Sequence, residues 1–187
     1  LVPIICTGDA KKNRNLIKYA MQNNVLYYSG PENNKIKRWY KCAMEFSLSK
    51  FHTLDADDPF FDPLRLIKSL NLLETSNAEI ILPSDYSDEG GATEGFSIKT
   101  DCLDFTSKLE DSADTEMCYS FFQENLNCLK LERPDYAADG IRMTLDYKED
   151  YIVLNEIQKK LGNYISRKKI NKFLKKNKEI VKINFFR

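Results

Sequence analysis

The order of apolar and polar residues along the chain predicts strands that alternate with amphipathic helices. Short apolar runs predict strands, and segments whose apolar residues recur at every third or fourth position predict helices. The predicted strands are residues 2–6, 25–28, 51–54, 79–82, 95–99, 125–131 and 142–145. The predicted helices are residues 13–23, 35–46, 64–73, 114–122 and 148–161, followed by a helix that opens at Ser166. This alternation predicts an α/β fold, in which helices flank a mixed, mostly parallel sheet.

Residues that begin and end helices refine this picture near the C-terminal part of the chain. Asp146 is placed to cap the helix over residues 148–161, and Gly162 is placed to stop it. Between residues 84 and 91 the pattern loosens into a polar stretch that ends in two glycines. Such a stretch is typical of a mobile binding loop, and we predict one here.

The acidic stretch after the predicted strand 51–54 is the main candidate for chemistry. Asp55, Asp57 and Asp58 crowd into one turn, at a place where open α/β sheets bind ligands. Their charges repel one another unless a cation or a basic ligand offsets them. Mg²⁺ is typically held by one or two carboxylates together with substrate phosphates, so we predict Asp57 as a metal ligand. The alternative is an acidic loop that caps the next helix, and we favour that alternative for Asp62.

Composition excludes several classes of partner. Lys plus Arg and Asp plus Glu number 28 each, so no net field favours nucleic acid or an anionic membrane. The basic segment 167–178 is interpreted as a solvated helix face above an apolar stripe, because no aromatic stacking positions accompany it. No apolar run approaches the length of a membrane span. The five cysteines lack C-x-x-C spacing, which argues against a zinc site or a disulfide framework and predicts the reducing cytoplasm.

One acidic motif has a recognisable pattern. Asp57-Asp58-Pro59, followed by Asp62-Pro63, resembles the motif G-D-x-P-L-x-D-P. Other stretches match further motifs of the same set, in the same order along the chain. Residues 29–39 resemble G-S-E-x-x-x-x-x-R-Y/W, residues 142–150 resemble R-x-T-x-D-x-x-E-D, and residues 114–117 and 175–184 resemble its remaining motifs.

Together these stretches resemble the cytidylyltransferases that activate acidic sugars, a family that includes acylneuraminate and spore-coat polysaccharide cytidylyltransferase-like proteins. The resemblance covers nearly the whole chain. It implies a GT-A-like fold, a homodimer and a single domain over residues 1–187, in which residues 84–140 form the substrate pocket and dimer contacts. It also implies a nucleotidyltransferase that transfers a nucleotidyl group from a nucleoside triphosphate, usually CTP, to a sugar or sugar acid, with release of pyrophosphate. Such an enzyme serves the synthesis of surface polysaccharides or glycans.

The resemblance also assigns the central residues of the site. Asp57 and Asp146 would be the two Mg²⁺ ligands, and the ion would neutralise charge on the α-phosphate. Asp58 lies in the same motif and would contact the substrate. Arg142 would bind a phosphate or a sugar acid. Alternatively, it would form a salt bridge that fixes the turn before Asp146.

Further positions that match the family have weaker assignments. Arg38 would reach the substrate from its helix, or else be a solvated helix arginine. Gly91 and Thr93 would shape the sugar pocket, or else belong to a flexible hairpin. Glu116 would contact substrate. Alternatively, it is a carboxylate in the first turn of a helix, where it faces the helix dipole. His52 is expected to be packed or hydrogen bonded, and not a ligand.

Two departures from the family pattern keep other functions open. The family's opening strand and its loop rich in glycine and arginine, which cradles the triphosphate, are not found at Leu1. We therefore expect the cradle to be missing, and one alternative is a truncated, non-catalytic domain that acts as a binding or dimerisation module. Ala56 stands where the family has glycine, which creates the D-x-D sequence Asp55-Ala56-Asp57. That sequence suggests a GT-A glycosyltransferase that uses a nucleotide sugar as the other alternative.

Overall fold

The computed structural model describes residues 1–185 and shows the predicted mixture of strands and helices. The strands are β1 (Ile4–Thr7), β2 (Leu26–Ser29), β3 (Lys50–His52), β4 (Ile80–Leu82), β5 (Ser97–Lys99) and β6 (Cys128–Lys130). The α-helices are α1 (Arg14–Gln22), α2 (Lys35–Glu45), α3 (Pro63–Thr75), α4 (Cys118–Asn125), α5 (Lys148–Leu161), α6 (Arg167–Lys176) and α7 (Lys178–Val181). A π-helical turn over Ser87–Gly91 and a 3-10 helix over Asp101–Lys108 were not predicted. None of the helices within residues 1–185 is long and apolar enough to cross a membrane.

The strands form two sheets. Strands β1 and β2 pair in parallel, with Ile4 opposite Leu26 and Thr7 opposite Ser29. The other four strands follow the order β3-β5-β4-β6. Strand β5 therefore lies between β3 and β4, and the neighbouring pairs β3–β5 and β4–β6, which are not consecutive in the chain, imply crossover connections as in α/β folds.

The contacts divide the chain into two compact units. The first unit contains Leu1–Phe51 and Ile98–Cys128, and therefore β1, β2, α1, α2, the 3-10 helix and α4. The second unit contains His52–Ser97 and the chain from Leu129 onwards, and therefore α3, β4, the π-helical turn, α5, α6 and α7. The single domain over residues 1–187 stays a prediction.

The core of the first unit packs around α2. Ile36 and Ala43 are buried on its apolar face, as the spacing of apolar residues predicts. Trp39 on the same face stacks on Phe122 of α4, with ring centroids 6.5 Å apart. Aromatic pairs at this distance stabilise a fold beyond the area that they bury.

The core of the second unit lies under α5 and α6. Its buried members are Ala92, Ala138, Ile141, Met143, Val153, Leu154, Ile157, Ile170 and Leu174. Val153 and Ile157 are four residues apart on α5, and Ile170 and Leu174 are four apart on α6, so each helix presents one apolar face. Burying a side chain of this size contributes about 1.5–3 kcal/mol. These helices pack against Ala138, Ile141 and Met143, at the start of the motif over residues 142–150.

Three elements predicted from the sequence are wrong. No strand forms over residues 142–145, because the N–H groups of Met143 and Leu145 bond to the carbonyl oxygens of Gly90 and Asp57, which belong to no strand. Helix α4 begins at Cys118, so Glu116 precedes the helix and does not lie in its first turn. The stretch over residues 84–91 forms a helical turn in place of a loose loop, and Tyr86 and Ser87 are buried in it.

Candidate functional site

The candidate site lies in the second unit, where three segments meet. We call them the acidic loop (residues 55–62), the glycine loop (residues 84–95) and the arginine loop (residues 142–150). The backbone N–H of Leu145 donates a hydrogen bond to the carbonyl oxygen of Asp57 at 2.8 Å. The N–H of Met143 donates to the carbonyl oxygen of Gly90, also at 2.8 Å. The arginine loop is thus joined through its backbone to both of the other loops.

The glycine loop is tightly packed and contains a helical turn, not a hairpin. A Cβ atom at Gly91 would clash with the carbonyl oxygen of Tyr86, so only glycine fits there without a shift of the backbone. The side chain of Thr93 is fully buried. The backbone carbonyl oxygen of Thr93 accepts a hydrogen bond of 2.7 Å from the backbone N–H of Asp62. Gly91 and Thr93 therefore fix the shape of the loop, and their contact with a sugar stays a prediction.

The acidic loop carries more negative charge than its surroundings offset. Burial, and then the charges of Asp57 and Asp55, raise the pKa of Asp58 to about 7. A hydrogen bond with Thr144 and the positive charge of Arg167 oppose this rise only in part. Neighbouring carboxylates resist ionising together because their negative charges repel each other. A bound cation would offset that repulsion.

Asp150 is the buried centre of the arginine loop. Its carboxylate accepts hydrogen bonds from the N–H groups of Asp146 at 3.1 Å and Tyr147 at 2.9 Å. It also accepts one from the side-chain amide of Asn184 at 2.8 Å. Burial alone would raise the pKa of Asp150, but hydrogen bonds from Arg142, Asn184 and the two backbone groups hold that pKa below its usual value. The prediction that Asp146 caps α5 is wrong, because the residue at the N-cap position of this helix is Tyr147.

Arg142 forms the salt bridges that one of the two alternatives predicts. Its Nε donates to Oδ1 of Asp150 at 3.0 Å, and its Nη2 donates to Oδ2 at 3.3 Å. The same Nη2 also donates to the carboxylate of Asp146, which is 44% exposed. Asp150 therefore orients Arg142, while Asp146 remains accessible from solvent. A contact of Arg142 with a phosphate or a sugar acid stays a prediction.

The segments that carry Asp57 and Asp146 are joined through their backbones, and a Mg²⁺ ion shared by their carboxylates stays a prediction. Asp146 follows Leu145, whose N–H is bonded to the backbone of Asp57, so the two aspartates lie on directly connected segments. Within residues 1–185, no group of three or more His, Cys, Asp or Glu side chains is arranged to hold a metal. A protein contribution of two carboxylates, completed by phosphate oxygens and water, is how Mg²⁺ is usually bound at nucleotide sites.

Arg167, the first residue of α6, contacts two loops of the candidate site and was not predicted from the sequence as part of it. Its side chain is only 1% exposed, so its assignment to a solvated basic face is wrong. Its Nη1 donates to the carbonyl oxygens of Phe60 at 2.9 Å and Ala92 at 3.2 Å, and its Nη2 donates to that of Gly91. A signal was present, because Arg167 lies three and seven residues before the buried Ile170 and Leu174, on the same helix face.

Asn171 extends this network from the next turn of α6. Its side-chain oxygen accepts a hydrogen bond of 3.1 Å from Nε of Arg167. Its side-chain nitrogen donates to the hydroxyl of Tyr86 at 2.7 Å and to the carbonyl oxygen of Tyr136 at 3.1 Å. The guanidinium is therefore hydrogen bonded to Asn171 of its own helix and to the backbone of both the acidic loop and the glycine loop.

Arg38 and Glu116 belong to the first unit. Nη1 of Arg38 donates to the carbonyl oxygens of Pro31 at 2.6 Å and Glu32 at 2.9 Å, which fixes the turn that leads into α2. It is therefore not simply a solvated helix arginine. Glu116 is exposed and forms an ion pair of 3.2 Å with Lys35. Substrate contacts of these two residues stay predictions.

His52 is hydrogen bonded inside the second unit, which confirms the expectation that it is packed. Its Nε2 accepts from the N–H of Gly95 at 3.3 Å, so the proton resides on Nδ1, which lies 2.7 Å from Oγ of Ser97. Burial lowers the pKa of His52 to about 4, against a smaller opposing effect of the Glu94 charge. The ring is therefore neutral at physiological pH and both of its nitrogens have protein partners.

The structure is similar to that of a cytidylyltransferase from Leptospira borgpetersenii serovar Hardjo-bovis (strain JB197). The TM-score is 0.82 at 18% sequence identity, over 95% of this chain and 77% of that chain. Molybdopterin-guanine dinucleotide biosynthesis protein A from Archaeoglobus fulgidus is more distant, with a TM-score of 0.49 at 12% identity, over 88% of this chain and 75% of that chain. No protein-family model and no curated protein matches the sequence. The likeness to the first structure confirms the predicted GT-A-like α/β fold.

Proposed function

We propose that this protein is a nucleotidyltransferase that transfers a cytidylyl group from CTP to a sugar or sugar acid and releases pyrophosphate. The observation that carries the proposal is the backbone hydrogen bond from Leu145 to Asp57, which connects the segments of the two candidate metal ligands. The order of the sequence motifs and a fold shared with a cytidylyltransferase support it. The product would serve the synthesis of a surface polysaccharide or glycan.

The residues of the second unit have distinct tasks in this reaction. Asp57 and Asp146 would hold Mg²⁺, which when bound offsets negative charge on the α-phosphate. The hydroxyl oxygen of the sugar would form a bond to the α-phosphorus and lose its proton to water, while the bond from that phosphorus to the pyrophosphate oxygen breaks. Arg142, oriented by Asp150, supplies a positive charge for a phosphate or for the carboxylate of a sugar acid. The glycine loop would form one wall of the sugar pocket.

The proposal includes the remaining properties that the family resemblance implies. Arg38, Asp58, Gly91, Thr93 and Glu116 would contribute to substrate binding. The protein would act as a homodimer in the cytoplasm, with a nucleoside triphosphate and a sugar as its ligands and with neither nucleic acid nor membrane as a partner.

Pyrophosphate release with a panel of substrates tests the proposal. The four common nucleoside triphosphates are each combined with neutral sugars and sugar acids, in the presence of Mg²⁺ and with EDTA in place of Mg²⁺. We expect release of pyrophosphate with CTP and one class of sugar, and none with EDTA. The opposite result is consumption of a preformed nucleotide sugar without any pyrophosphate, which would identify a glycosyltransferase. Absence of both reactions would favour a non-catalytic module.

A further inference from the structure

Arg167 is a buried cation whose hydrogen bonds go to neutral groups. Its guanidinium donates to three backbone carbonyls and to the side-chain amide of Asn171. An arginine does not lose its proton to escape a buried site, so its burial is tolerated only when its donors are satisfied. The N–H groups of the guanidinium are satisfied only if these carbonyl oxygens all lie within hydrogen-bond distance of it. The buried charge therefore imposes a fixed position on the segments that supply the carbonyls.

Those carbonyls come from both loops that flank the candidate site. Phe60 lies in the acidic loop, two residues after Asp58, and Gly91 and Ala92 lie in the glycine loop, just before Thr93. The planar fork of an arginine reaches several acceptors at fixed angles, whereas the ammonium of a lysine is a single point of charge. One side chain thus spans the two loops and fixes the distance of one from the other.

The backbone at the glycine loop shows that this position is enforced. Ala92 has φ +50, a left-handed conformation that residues with a Cβ atom rarely adopt. Such a conformation persists only where surrounding contacts determine it. Arg167 donates to the carbonyl oxygen of Gly91, which precedes Ala92, and to the carbonyl oxygen of Ala92 itself. These hydrogen bonds hold the strained residue in place.

We propose that Arg167 is a positioning residue, which holds the acidic loop and the glycine loop in the arrangement that the candidate metal and substrate site requires. This inference rests on the proposed function, because the positions of the loops matter to catalysis only if the loops bind metal and substrate. Arg167 touches neither reacting atoms nor ligand and acts through the backbone of the two loops.

Hydrogen–deuterium exchange and Mn²⁺ binding test this role together. The variants are Arg167→Lys, which keeps the charge but loses the fork, and Lys168→Met, a matched control at an exposed neighbour that pairs with Asp135 at the surface. In Arg167→Lys we expect amide exchange to rise about tenfold in peptides covering residues 57–62 and 88–95, while α5 exchanges as in the wild type. We also expect the Mn²⁺ dissociation constant to rise about tenfold, as when outer partners of metal ligands are removed. Lys168→Met should change neither quantity.

A second variant keeps the test decisive if Arg167→Lys does not fold. Asn171→Ala leaves the guanidinium in place but removes the acceptor behind it, and we expect the same pattern at smaller amplitude. Unchanged exchange in both loops would overturn the proposal. So would faster exchange throughout α5, or unfolding of both variants, because Arg167 would then support the whole unit and not these loops in particular.

The outcomes also separate this inference from the proposed function. If the wild-type protein releases no pyrophosphate, but the loops loosen and Mn²⁺ binding weakens in Arg167→Lys, the positioning role stands and the proposed reaction fails. If the wild-type protein is active and the loops of Arg167→Lys exchange as in the wild type, the positioning role alone fails.

Discussion

The backbone N–H of Leu145 lies 2.8 Å from the carbonyl oxygen of Asp57, to which it donates a hydrogen bond. This contact joins two sequence motifs that are far apart along the chain. It places Asp146, the residue after Leu145, on a segment fixed directly to the acidic loop. The predicted pairing of the Asp57 and Asp146 carboxylates at one metal ion would therefore depend on this backbone contact, and not only on the presence of two acidic motifs.

Replacing Asp150 by Asn should destabilise the protein strongly. The carboxylate of Asp150 is buried, and its loss would leave Arg142 without the partner that orients it. Removing one member of a buried ion pair costs about 3–5 kcal/mol. We expect a loss of that order in the free energy of unfolding, measured by urea denaturation.

The matched control for Asp150→Asn is Asp139→Asn. Asp139 also pairs with an arginine, Arg133, but its side chain is 90% exposed. An exposed pair contributes about 0–1 kcal/mol, so this substitution should have little effect. Equal losses in the two variants would contradict the role assigned to Asp150.

The stability of the protein should depend on the ionisation of Asp58. Its pKa is raised to about 7 by burial and by the charges of Asp57 and Asp55, so the fold favours the neutral acid. The contribution of Asp58 is therefore most favourable below its ordinary pKa near 3.8 and is lost as the pH rises to about 7. We expect Asp58→Asn to remove this loss, which amounts to roughly 1–2 kcal/mol once solvent screening of a partly exposed group is allowed for.

Urea unfolding of the wild type and of Asp58→Asn at several pH values between 4 and 8 measures this difference. The comparison of the two proteins isolates Asp58 from other groups that titrate in the same range. Mg²⁺ should reduce the difference, because a bound cation offsets the charge that burial penalises. A difference that does not change with pH would show that the acidic loop is not electrostatically strained.

His52 should remain neutral well below its ordinary pKa. Because it is the single histidine of the chain, its ring signals in an NMR titration are unambiguous. Burial lowers its pKa to about 4 from 6.5, so we expect a midpoint near 4 in the folded protein and near 6.5 in urea. The corresponding stability is present above pH 6.5 and is lost as the pH falls towards 4. A folded-state midpoint at 6.5 would place the ring in solvent.

The sequence predicts the fold class and the buried apolar faces of α2, α5 and α6, because these depend on local periodicity, whereas Leu16 and Met21 on the apolar face predicted for α1 are exposed. The strand predicted over residues 142–145 fails for an instructive reason. Met143 is buried in the core of the second unit and Thr144 is not, which produces the alternation typical of a strand. The N–H partners of this segment are loop carbonyls, however, and no local pattern reveals which segment supplies an acceptor.

Arg167 shows the same limit for the candidate site. Its position three residues before Ile170 indicates a buried helix face, but its carbonyl partners lie 107 residues away at Phe60 and 76 residues away at Gly91, so the local sequence does not reveal what it binds. The acidic loop, by contrast, is visible from the sequence because the clustered charges are neighbours along the chain. Residues whose chemistry is local can be predicted from the sequence, while residues that act by joining distant segments require the structure.

The most direct test of the proposed reaction is Mg²⁺-dependent pyrophosphate release from CTP, measured for the wild type, Asp57→Asn, Asp146→Asn and Asp55→Asn. We expect both metal-ligand variants to lose more than about a hundredfold in rate, since even outer partners of metal ligands cost 10- to 100-fold. Asp55→Asn, in the same loop but outside the assigned pair, should stay close to the wild-type rate. Wild-type turnover in Asp57→Asn would contradict the metal site, and consumption of a nucleotide sugar without pyrophosphate would contradict the reaction itself.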